Sequence, residues 1–246
     1  LRLTKEFYLS LLFAFIAMVF VVLIDLFTPA PTTPVPLDDK LVVSAFFIVS
    51  CCVGMSLALY PGWFRQRATI HVMTREQVNG PPSRAFSGHH PDCSRFDAHR
   101  ITIGARTWCA GCLGLVVGAL GSIVLMALYV AASPAIPRFG SQLLFLLGFV
   151  CVIIVFIETL VKNRRPTPHL FFNVALIVGF SLITMSITEL SGKGLFGVLA
   201  VLLCAVMLST RVTLSSWRHQ RTCDSCTASC KMYDASSASR RPVAQR

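Results

Sequence analysis

Six runs of roughly twenty mostly apolar residues dominate this chain, and each is long enough to cross a hydrocarbon core of about 30 Å as a helix. They cover residues 7–28, 41–60, 109–132, 141–161, 169–188 and 195–214. Proline-rich or polar breaks at 29–36, 134–137 and 164–168 separate several of them. The expected fold is all-α, a polytopic membrane helical bundle of six transmembrane helices. Composition agrees: only 13% of residues are charged, where a soluble domain has about a quarter, and mean hydropathy is +0.69. A water-soluble fold is excluded. Eighteen Phe and the long apolar runs also exclude disorder, and ten Cys are spread over a chain too long to need disulfide staples.

Charge placement orients the bundle. With both termini in the cytoplasm, the inner side collects Arg2, Lys5, seven Arg from Arg65 to Arg106, Lys162, Arg164, Arg165, and seven basic residues from Arg211 onward. Only Lys40, Arg138 and Lys193 fall outside. So lopsided a positive-inside bias predicts a multi-pass protein of the cell (inner) membrane with both termini cytoplasmic. The same bias accounts for the net charge of +11, so the bilayer is the expected partner and no nucleic acid is called for. Residues 1–60 then hold the first two helices, 61–108 a cytoplasmic loop, 109–214 the remaining four helices, and 215–246 a basic, Cys-containing tail expected to be partly disordered. The first run exceeds the length of a signal-peptide core and lacks a clear cleavage site, so it is read as a retained anchor.

Inside the bilayer the sequence offers little chemistry. Asp25, Glu158 and Glu189 all fall near run ends, where carboxylates reach the interface, rather than at mid-membrane positions typical of transporters. Glu158 has Lys162, Arg164 and Arg165 as basic neighbours at the same membrane face. Gly111, Gly114, Gly118 and Gly121 share one face of the third run and predict close approach of another helix. Cys51, Cys52, Cys151 and Cys204 are expected to behave as small apolar residues within the runs.

The loop before the third run is the informative part. His89, His90, Cys93, His99, Cys109 and Cys112 fall within 24 residues. A tetrahedral Zn2+ site takes four nitrogen or sulfur ligands, commonly including one Cys-x2-Cys pair. Cys109 and Cys112 supply that pair, and His90, Cys93 and His99 are the candidates to complete it. Between the two halves, the β-branched alternation of residues 100–108, broken at Gly104, predicts a small hairpin. The order ligands, hairpin, then Cys-x2-Cys at a helix start is that of a treble-clef zinc knuckle fused to a membrane helix. The helix terminus favours thiolates, and a reducing cytoplasm favours metal or redox chemistry over a structural disulfide. Thiol redox chemistry and inert residues remain as alternatives to metal. In the tail, Cys223, Cys226 and Cys230 with His219 form a second candidate set, or donors to the first.

The residues His89-His90, Arg95-Phe96 and Cys109-Ala110-Gly111-Cys112-Leu113-Gly114 together resemble an uncharacterised family of prokaryotic integral membrane proteins. That family carries a Cys-His pair, a downstream Arg, and a Cys-x2-Cys-x-Gly run at a helix start. The resemblance spans 27 residues, from Gly88 to Gly114, and aligns His90, Arg95, Cys109, Cys112 and Gly114 with the motif. His89 stands where the family has Cys, Gly111 where it often has Arg, and Cys93 and His99 are additional. What it implies is a prokaryotic membrane protein of unassigned activity. The expected function is therefore that of a membrane protein with a cytoplasmic zinc knuckle, structural or serving to dock a cytoplasmic partner protein, rather than an enzyme. A membrane thiol-disulfide oxidoreductase using Cys109 and Cys112, or a carrier of a small solute or metal ion, are the alternatives.

Overall fold

The structure is a computed structural model that describes residues 5–28, 31, 33–60, 86–87, 94–132, 136–160 and 165–224. Six helices account for most of them: α1 (Lys5–Phe27), α2 (Leu37–Leu59), α3 (Ala110–Ala131), α4 (Arg138–Leu160), α5 (Pro166–Ser191) and α6 (Gly194–Asp224). All but α1 are long and apolar enough throughout to cross a membrane, while α1 offers the shorter apolar stretch Tyr8–Ile24. The chain is thus a multi-pass membrane protein with five spans of full length. The expectation of six helices is met, and five of them are long and apolar enough to cross a membrane among the described residues.

Local chemistry sets the helix ends. α2 follows Pro36 and places Asp38 and Asp39 in its first turn, where the helix dipole favours negative charge. α5 begins with Pro166 after an extended Arg165, since proline suits the first helical position. Its end is set by Gly192, which takes the left-handed conformation (φ 68°) and donates its N–H to Thr188 O at 3.0 Å.

The predicted hairpin is present as β2 (Arg100–Ile103) and β3 (Arg106–Cys109), paired antiparallel across a turn at Gly104, whose φ of 59° suits glycine. A two-residue strand, β1 (Phe86–Ser87), adds in parallel to the other edge of β3, giving the order β1-β3-β2. A 3₁₀ turn over Ser94–His99 precedes β2. The strands are a small addition to an otherwise all-α fold.

α5 is the centre of the bundle. It packs most extensively against α3 and α4, and every residue from Gly179 to Ser191 is buried. α2 lies against α3 and α6, and α1 chiefly against α6. Glycines permit the closest crossings. A side chain at Gly114 would meet Leu170 O at 2.5 Å, and one at Gly118 would meet Val174 backbone at 3.0 Å, so α3 and α5 touch through their main chains there. Gly121 departs from the expected face, having nothing within 4 Å of such a side chain. A second contact, between α4 and α5, rests on Gly148 and Gly179, each within 3 Å of the other's carbonyl at its Cβ position.

Candidate functional site

The hairpin sits at one end of the bundle, where α3 and α5 begin and α6 ends. Cys109 is the last residue of β3 and caps α3, and Cys112 lies one turn in, so the Cys-x2-Cys pair occupies the first turn of a helix as its spacing predicted. Both sulfur-bearing side chains are buried, Cys109 to 1% exposure. His99, at the end of the 3₁₀ turn, directly precedes Arg100, which pairs with Cys109 across the hairpin. The His99 ring stands nearly perpendicular to His169 at 5.3 Å between centroids and to His219 at 5.5 Å. Phe96 seals this cluster, fully buried and edge-on to His219 at 5.1 Å.

His169 comes from the first turn of α5 and is held from behind by Glu158 near the end of α4. Glu158 Oε1 lies 3.1 Å from His169 Nδ1. An ionised carboxylate only accepts, so the contact calls for a proton on Nδ1, and in the neutral ring Nε2 is then the nitrogen with the lone pair. Nε2 and Cys109 Sγ flank one point: the Cβ position of Gly111 is 3.1 Å from the nitrogen and 3.8 Å from the sulfur. Any side chain at residue 111 would fill the space between them. Glu158 thus engages His169, and Lys162 and Arg164, two of the basic residues that sequence proximity nominated for it, lie outside the described residues. Arg218 of α6 donates to Thr159 O beside Glu158.

Of the expected ligands, Cys109, Cys112 and His99 are described and lie at this end; His90 and Cys93 fall outside the described residues, as do Cys226 and Cys230. Among the described residues, no three His, Cys, Asp or Glu side chains stand close enough together to enclose an ion. The tertiary structure adds His169 and Glu158, which local sequence spacing did not nominate, and brings in His219, which had been grouped with the tail. The available signal was topological: His99, His169 and His219 all sit on the same side of the membrane once the six runs are threaded.

The opposite end of the bundle holds a second polar cluster. Lys40 Nζ lies 2.7 Å from Glu189 Oε1 with both side chains 3% exposed, and Tyr129 donates its hydroxyl to the same oxygen at 2.8 Å. Lys40 also lies over the Tyr129 ring, 4.8 Å from its centroid. Glu189, two residues before the end of α5, is thus a buried, paired group. Comparison with protein-family profiles, characterised proteins and solved structures gave no match. The functional reading accordingly rests on the residues themselves.

Proposed function

We propose that the hairpin end of this multi-pass protein binds one divalent metal ion, Zn2+ by its donor set, and that the metal locks the loop onto the bundle as a structural cap or a docking surface. The supporting observation is the Glu158–His169 pair, which aims His169 Nε2 toward the space beside Cys109 Sγ. A carboxylate behind a histidine is the usual way that a metal-binding imidazole is oriented and made more basic. By chemical type Cys109, Cys112, His99 and His169 make a two-sulfur, two-nitrogen set of the kind structural zinc takes. The set would have to draw together on binding, since no three of them are within one ion's reach. His219 stands beside His99, and His90 and Cys93 are the loop's further candidates. The hairpin end faces the cytoplasm in the topology that the basic residues favour.

Burial of Cys109 and Cys112 weighs against thiol-disulfide exchange, which requires access to an attacking sulfur. The test is metal analysis of the purified full-length protein. Wild type should contain about one zinc per chain, and Cys109→Ser with Cys112→Ser should contain none while remaining inserted. Glu158→Gln should retain the fold and lose about 10- to 100-fold in zinc affinity, as loss of outer-shell partners does. Metal-free wild type that cycles between dithiol and disulfide near the cytosolic potential would replace this reading with the oxidoreductase.

A further inference from the structure

Beneath the hairpin, between α2, α3, α5 and α6, lies a cavity of about 360 Å³, within the size range of small-molecule sites. Its walls are mainly apolar, with Phe180, Val201, Cys112 and Leu208 among them, and also carry His169, Asn173, Ser215 and Ser216. One permanent cation faces it. Arg211 is 4% exposed, lines the cavity, and has no hydrogen-bond partner for Nε or Nη2 among the described residues. Asn173 Oδ1, also on the wall, is likewise unpaired there.

An unpaired guanidinium in an apolar interior is strongly unfavourable, so an anion is expected to meet it. Among the described residues, Glu158, Cys109 and Cys112 are the acidic groups near enough to act on its charge, and none of them is a hydrogen-bond partner of Nε or Nη2. The two sulfurs bring no net charge as thiols, and as thiolates on a divalent ion their charge is balanced by the ion. With or without metal, Nε and Nη2 of Arg211 therefore remain donors with no acceptor among the described residues.

The opening of the cavity indicates where that anion comes from. Every exposed residue on its wall, Ser50, Leu57, Ala205, Val212 and Ser216, belongs to α2 or α6, and we take the side of those two helices as the entrance. Both are apolar enough to lie in the hydrocarbon. Arg211 is 17 residues into α6, roughly 26 Å along it at 1.5 Å per residue, which puts the guanidinium near the far edge of a core about 30 Å thick. A lateral entrance in hydrocarbon, an apolar trough and a cation at headgroup depth match one kind of molecule. We propose that the cavity binds a single-chain anionic lipid, its carboxylate or phosphate oxygens accepting from Arg211 Nε and Nη2 and its acyl chain lying between α2 and α6.

The experiment uses full-length protein in phosphatidylcholine nanodiscs with a photoreactive palmitic acid carrying a mid-chain diazirine, and the alcohol of the same chain as its neutral control. The acid should be captured at about one per chain, with cross-links mapping to residues 50–58 and 201–212, and at least tenfold more efficiently than the alcohol. Arg211→Gln should remove that preference, and Arg211→Lys should keep part of it. Ala205→Phe, which obstructs the entrance and leaves Arg211 in place, should lower capture of the acid. Because folding of the variants is an independent question, thermal unfolding is read alongside: the acid should raise the melting temperature of wild type and not of Arg211→Gln. Equal capture of acid and alcohol by wild type, an unchanged preference in a folded Arg211→Gln protein, or competition by inorganic phosphate as effective as that by the long-chain acid would each overturn the proposal. Zinc content, measured on the same samples, keeps its outcome separate from that of the metal site.

Discussion

Lys40 and Glu189 illustrate how much a single buried contact decides in this protein. In the chain they are 149 positions apart, each beside a loop, and each reads as an interfacial charge. In the fold they form an ion pair with Tyr129 hydrogen-bonded to the same carboxylate oxygen. Removing one partner of such a pair leaves an uncompensated charge, which typically costs about 3–5 kcal/mol. Lys40→Met and Glu189→Gln should therefore each destabilise the protein by an amount of that order, and the double variant by less than the sum. Unfolding in mixed detergent micelles measures all three; strictly additive losses would show that the two residues act independently.

At the level of helices, α3 and α5 are held by glycine contacts that differ from one turn to the next. Gly118 faces the Val174 backbone at contact distance, whereas Gly121, one turn on, faces open space and Leu120 is largely exposed. Gly118→Leu should lower stability by about 1–3 kcal/mol or more, the usual result of overpacking, while Gly121→Ala and Leu120→Ala should change the melting temperature little. A Gly118→Leu protein that melts like wild type would mean that α3 and α5 do not meet there. The glycine periodicity marked the right helix and the right face. It did not reveal where along that face the partner ends, because this depends on the angle at which α5 crosses.

For the molecule as a whole, threading the helices through the bilayer joins the basic loop, the hairpin and the end of α6 on one side. Reporter fusions after Arg75 and Arg218 should both behave as cytoplasmic, as the distribution of basic residues requires. An external signal at either position would invert the placement of the proposed metal cap. The apolar runs, the hairpin about Gly104 and the helix that starts at Cys109 are all legible in the chain, because each depends on neighbours a few residues apart: hydrophobic length, strand alternation, a turn glycine. Long-range partnerships are not encoded that way. Glu158 meets His169, His169 meets His99, and Arg211 faces a cavity walled by four helices. Such contacts arise only when helices distant in sequence pack together, and the free energy that sets them is that of burying groups side by side, which no local pattern records.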